Sequence, residues 1–470
     1  MSPRLSSSTY SIQLKGQLRD VFRGGLALDD RERKNLGRSS AYCTADSRGT
    51  RPGDLGTMSS SPGATYATGE RARCIASVPG NGEQTVFAVG TQRLRGNNAV
   101  HFVAHDRDRD ALVARGVYKH HPEIWDLQPS PTTDTLVATT HGPSSAAPDH
   151  GGAVWRVPGD GADASGSASL ESVAPFPVGG ADSAGAARCA RWRVGVGVDP
   201  SAPATGGTLA VADDRNVRLF QLDASARSAM ALVAESPRFD ADGDGGDEAL
   251  ASLRATASVR GAWDPHAADA FAVVTSPTAG ADGVRIYDTR TMRVALEISN
   301  PPASRRAGCG FADVEYDPRR AHRALTAGDD GAARAWDLRR AAAPTRVFAG
   351  HEHWVRRVCV NPVYELLATA SADGTARLWR DGPGDFADAD DDEKADEALA
   401  ARMAKTKRRG GDGDARDDGG PAETYGSRGG GAVCGVAWSA ADPWSFASLE
   451  GDGTVAMCFV PRAEKYKILL

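Results

Sequence analysis

The stretch Gly350-His351-Glu352-His353-Trp354-Val355, followed by Leu366-Leu367-Ala368-Thr369-Ala370-Ser371-Ala372-Asp373-Gly374-Thr375-Ala376-Arg377-Leu378-Trp379, constrains this chain more than any other. It holds three short apolar runs: Val355 to Val360, ended by Asn361-Pro362, then Leu366 to Ser371, then Ala376 to Trp379. Runs of that length between turn residues read as strands, and Asp373-Gly374 is a tight hairpin turn. A buried Trp379 needs an acceptor, because an indole N–H can only donate. Thr369 or Ser371 can accept that bond and donate onward to His351, whose other ring nitrogen reaches the Asp373 carboxylate. Such a closed chain satisfies each buried polar group in it. His351 is thereby committed to structure rather than to catalysis.

The pattern recurs. Thr326-Ala327-Gly328-Asp329-Asp330-Gly331, followed by Ala333-Arg334-Ala335-Trp336-Asp337, repeats the second strand, turn and third strand, with Thr326, Asp330 and Trp336 at the network positions. Trp336 and Trp379 stand 43 residues apart, inside the ~40–45 residue period of the WD40 repeat that both stretches resemble. Further third-strand anchors fall at Phe102, Trp155, Phe220, Tyr287 and Cys458. The expected fold is all-β, a seven-bladed WD40 β-propeller with a disordered N-terminal extension and an acidic loop inserted before the last blade. Closing the ring removes exposed sheet edges. Either Thr65-Tyr66-Ala67 or Lys465-Tyr466-Lys467-Ile468-Leu469-Leu470 supplies the joining strand.

A chain of 470 residues is long for one ordinary core, but blades that pack only on their neighbours lift that limit. A net charge of −6 gives no global basic field for nucleic acid. The seven cysteines are scattered without a CxxC and read as small buried hydrophobes of a reduced compartment. No apolar run approaches the ~18 residues of a membrane span. Residues 1–63 are rich in Ser and Arg and lack strand periodicity, and Asp20, Asp29, Asp30 and Glu32 argue against a transit peptide. They read as the disordered extension, with the propeller over 64–470. Residues 381–430, carrying Asp388, Asp390, Asp391, Asp392 and Glu393, read as a disordered, solvated insertion between blades six and seven. The Asp240-Ala241-Asp242-Gly243-Asp244 segment lacks the rest of a calcium-loop pattern and reads as a solvated loop.

A propeller binds mainly through residues around the mouth of its channel. The positions flanking the start of each first strand hold Trp354 and Arg356, Glu123 and Trp125, and Arg188. Exposed Trp and Arg are the usual interface anchors. Trp336-Asp337-Leu338-Arg339 and Tyr287-Asp288-Thr289-Arg290 also fit the WDxR pattern of substrate receptors of cullin-RING ubiquitin ligases, with Arg339 and Arg290 as the adaptor contacts. His351-x-His353 and His120-His121 lack further ligands at metal spacing. There is no GxSxG, phosphate loop or HExxH. No catalytic, cofactor or metal residue is expected.

The closing residues are more particular. Ala437-Trp438-Ser439-Ala440-Ala441-Asp442-Pro443-Trp444-Ser445-Phe446-Ala447-Ser448-Leu449 and the terminal Val460 to Leu470 resemble the end of the EARP- and GARP-complex-interacting WD40 proteins. The likeness extends through Val89-Gly90-Thr91-Gln92, Glu123-Ile124-Trp125 and the two WDxR stretches, over about residues 66–470. The resemblance implies a non-enzymatic adaptor that binds subunits of the EARP and GARP tethering complexes, as a monomer within a larger complex. It implies support for endosomal recycling and endosome-to-trans-Golgi retrograde transport, from a cytoplasmic position at those membranes held by partners, without nucleic acid or membrane insertion. The WDxR motifs offer the alternative of a ubiquitin-ligase substrate receptor.

Overall fold

The computed structural model describes residues 63–79, 84–93, 97–133, 135–141, 151–159, 168–176, 187–194, 207–213, 216–223, 229–237, 260–275, 283–299, 310–382 and 420–470. The expected extension before residue 63 and the acidic 388–393 run lie outside them, as does the 240–244 segment. Among the described residues, seven four-stranded antiparallel sheets form the blades of a ring. Blades one to six take their strands in chain order, over 72–120, 124–175, 189–235, 261–299, 311–349 and 355–426. Blade seven joins Val433–Trp438, Ser445–Glu450 and Thr454–Phe459 to the N-terminal strand Thr65–Ala67. Every third-strand anchor read from the sequence lies on a third strand.

The blades hold together because both faces of most second strands are covered. Val86–Thr91, Leu136–His141, Arg323–Gly328, Leu366–Ser371 and Ser445–Glu450 are buried at every residue. The apolar clusters are each drawn from two adjacent blades. Leu366, Ala368 and Leu378 pack with Val433, Trp438 and Phe446 across blades six and seven. Phe87, Val89 and Val103 pack with Leu449, Val455 and Met457 across blades one and seven. Each fully buried side chain of this size contributes roughly 1.5–3 kcal/mol. The ring is therefore closed by packing as well as by pairing.

Of the two candidates for closure, the structure uses the first. Thr65, Tyr66 and Ala67 pair with Ala456, Val455 and Thr454. The terminal segment is instead a helix, Arg462–Leu469, set off by Pro461. Ala463, Glu464 and Lys465 favour that choice, since they are good helix formers and Pro is at home at a helix start. The helix docks on blade six, where Arg380 donates to Glu464, which also accepts from Lys467 Nζ at 2.9 Å. Beside it Lys465 lies over Trp444, which stacks on Tyr364 with centroids 3.9 Å apart. A second difference concerns the insertion read over 381–430. Glu423–Gly426 is a strand that pairs with Thr375–Leu378, so residues up to 430 belong partly to blade six.

Candidate functional site

The blade-six network has a consistent direction. Trp379 Nε1 donates to Thr369 Oγ1 at 2.9 Å, and Thr369 in turn meets His351 Nε2 at 2.7 Å. His351 Nδ1 lies 2.8 Å from Asp373 Oδ2. With Nδ1 as the donor to the carboxylate, Nε2 accepts from the threonine hydroxyl, and every group is satisfied. Burial lowers the His351 pKa, although Asp373 works the other way. Ser371 takes no part in the tryptophan bond; its hydroxyl donates to the His353 carbonyl at 3.1 Å. In blade five Trp336 Nε1 donates to Thr326 Oγ1 at 2.9 Å, while Asp330 pairs with Arg334.

Blade two holds a counterpart that the sequence reading missed. Trp155 Nε1 donates to Thr139 Oγ1 at 2.7 Å, and His120 Nε2 meets the same hydroxyl at 3.0 Å. The Pro122 carbonyl, 3.0 Å from His120 Nδ1, stands where blade six has Asp373. Burial pushes the His120 imidazole down to about 4. The signal was a histidine four residues ahead of the first strand, as at His351.

Two of the mouth residues, Trp125 and Arg356, owe their placement to a repeated irregularity. Five first strands carry a register shift one residue in, so that Arg73, Trp125, Ala312, Arg356 and Cys434 are each skipped by the pairing. A bulge of this kind re-aims the extra side chain away from the ladder. Trp354 and Arg356 are exposed, the indole by 48%, with the guanidinium 6.0 Å from the ring centroid. Trp125 is only half-buried and is covered by Arg188, whose guanidinium lies 4.2 Å over its ring. Its Nε1 donates to Glu123 at 3.4 Å, and Glu123 also accepts from Gln92 at 3.5 Å. The sequence-read mouth residues thus form one open pair in blade six and one closed group in blades two and three.

Below the mouth, charges cross the channel. Asp126 of blade two accepts from Arg191 of blade three, and from Arg260 Nη1, ahead of blade four, at 2.6 Å, with Arg357 of blade six at 3.8 Å. Asp313 of blade five accepts from Arg357 Nη1 at 3.3 Å and from the Val358 amide at 3.2 Å. Burial alone would push the Asp126 carboxyl up, but Arg191, Arg260 and Arg357 together hold it at about 2. Burial, joined by the charge of Arg357, brings Arg260 down to about 10.

Arg339 and Arg290 stand at the ends of third strands, on the rim opposite the mouth. Each folds back on its own repeat aspartate: Arg339 Nη2 donates to Asp337 at 2.6 Å, and Arg290 Nη2 donates to Asp288 at 2.9 Å. Among the described residues, no group of three or more His, Cys, Asp or Glu is placed to hold a metal ion. No described helix is long and apolar enough to cross a membrane.

Blades of four strands, Trp–Thr–His networks and a mouth ringed by bulged residues define a WD40 β-propeller, an architecture of interaction scaffolds. Residues 238–379 match the family model described as the EIPR1 beta-propeller. The chain is similar to WD repeat-containing protein DWA2 of Arabidopsis thaliana, at 29% identity over 86% of this chain and 99% of the relative. It is similar also to EARP and GARP complex-interacting protein 1 of Rattus norvegicus and Homo sapiens, in each case at 27% identity over 86% of this chain and 98% of the relative. The resemblance read from the closing residues stands: the chain is similar to the EARP- and GARP-complex-interacting proteins over most of its length. A chain of the COPII outer coat vertex shares the fold alone, at TM-score 0.53 and 14% identity over 84% of this chain and 85% of that one.

Proposed function

We propose that this chain is a non-enzymatic adaptor that binds the EARP and GARP tethering complexes through the mouth of its propeller. In that role it supports endosomal recycling and endosome-to-trans-Golgi retrograde transport, as a monomer held at those membranes by its partners. The observation that carries the reading is the exposed Trp354–Arg356 pair, on a chain similar over 86% of its length to proteins named for interacting with those complexes. A tryptophan and an arginine open to solvent at a ring mouth are what a partner buries first. The histidines of the repeat are tied into structural bonds, which leaves them poor candidates for chemistry.

Affinity purification of the chain followed by mass spectrometry tests the reading, with tethering-complex subunits as the expected partners. Recovery of a cullin adaptor in their place, lost on Arg339→Ala, would favour the ubiquitin-ligase alternative. One feature speaks for that second reading: Arg339 and Arg290 keep side chains 62% and 70% exposed on the far rim despite their carboxylate partners.

A further inference from the structure

A cavity of about 550 Å³ opens at the mouth where blades one, six and seven meet, lined among others by Arg71, Arg73, Gln92, Arg356, Cys434 and Asp452. Its volume falls within the range of small-ligand sites. Three arginines and one acid, Asp452, are among its lining residues, in a chain whose net charge is −6. The fold builds this concentration deliberately from local geometry. Arg73 and Arg356 are bulged residues of their first strands, and Arg71 precedes the same strand start as Arg73. Further positive charge lies behind the wall. Burial lowers the Arg73 pKa, and the charges of Arg357 and Arg188 lower it further, against the opposing pull of Asp126. The acids of this region are Asp329 near Arg356, Asp126 near Arg73, Glu123 against Gln92 and Glu450 beside Asp452. Burial raises the Cys434 thiol, so the sulfur adds no negative charge at neutral pH.

A ligand suited to this lining is compact and carries several negative charges. Arginine forks bind phosphate oxygens in pairs. A carboxylate would use one fork; the forks of Arg71 and Arg356, with the charge of Arg73 beside them, match more than one phosphate group. We infer that the cavity is a binding site for a small, multiply phosphorylated anion, gripped by Arg71 and Arg356 with the charge of Arg73 beside them. The same groups occur in a free inositol polyphosphate and in a phosphorylated lipid headgroup. The site shares Arg356 with the proposed partner-binding pair, but the probes below contain no protein partner, so its failure and the failure of that reading are separable.

Calorimetric titration of the full chain with inositol hexakisphosphate, paired with co-sedimentation on phosphatidylcholine vesicles with and without phosphatidylinositol bisphosphate, tests the inference. Binding of the soluble probe alone assigns a free anion, and capture by the doped vesicles assigns a lipid headgroup. The double variant Arg71→Gln/Arg356→Gln should weaken whichever probe binds by at least about tenfold, since it removes two charge-assisted contacts. Asp452→Asn should tighten it, because the repelling charge goes while the oxygen that accepts the Thr454 amide at 2.8 Å remains. Arg290→Gln, on the opposite rim, should change nothing. Failure of both probes to bind would overturn the inference. So would equal binding by the double variant, or an equal loss in Arg290→Gln.

Discussion

Thr369 is the point where the blade-six network can be cut most cleanly. Its hydroxyl serves two buried groups at once, Trp379 Nε1 at 2.9 Å and His351 Nε2 at 2.7 Å, and the residue has no exposed surface. Thr369→Val keeps the shape and removes only the hydroxyl, so no cavity opens. It leaves a buried donor and a buried acceptor without partners. Each such group costs about 1–3 kcal/mol, which puts the variant at about 2–5 kcal/mol below the parent after partial relaxation. Thr369→Ser keeps the hydroxyl and loses one methyl, a change of about 1 kcal/mol. Urea denaturation followed by tryptophan fluorescence would read both, and Thr139→Val in blade two should behave like Thr369→Val. A valine variant no less stable than the serine variant would refute the network as a source of stability.

Three further outcomes follow from the channel and the closure. His120 is held uncharged with a pKa near 4 in the fold against ~6.5 in the unfolded chain. Its contribution is whole above pH ~6.5 and is lost as pH falls towards 4, by up to about 3 kcal/mol, so His120→Gln should flatten the stability–pH curve in that window. Asp126 is held down at about 2, so its contribution is present above ~3.9 and is lost below; Asp126→Asn should cost about 3–5 kcal/mol at neutral pH by leaving Arg191 and Arg260 without their carboxylate. Gly453 has φ +92, and a Cβ there would strike the Glu70 carbonyl and the Thr68 hydroxyl beside the closing strand. Gly453→Ala should therefore cost about 2–4 kcal/mol and raise proteolysis near residues 63–68, which limited digestion would show.

What the sequence disclosed was what side chains encode. The seven anchors were legible because large apolar residues at Trp155, Phe220, Tyr287 or Trp379 recur at blade spacing and fill the space between sheets. Outermost strands were not, since one face meets water: Arg293–Ser299 buries little beyond Ile298, and Glu423–Gly426 buries only Tyr425. The three-residue closing strand offered no periodicity against a terminal segment with as many β-formers. The mouth was half read. Trp354, Arg356, Glu123 and Trp125 followed from one blade, but Arg71 and Arg73 did not, although Arg73 is skipped by the same kind of register shift as Arg356. The blade-two network escaped because a carbonyl, Pro122, does the work of an aspartate.

The central claim is that the open pair at the mouth carries partner binding. Purified chain and its Trp354→Ala/Arg356→Ala variant, matched for folding by circular dichroism, would be titrated against isolated EARP and GARP complexes. The account predicts binding by the parent and a loss of at least about tenfold in the variant, as expected when two anchor side chains are truncated. Equal affinity of the two proteins would contradict it.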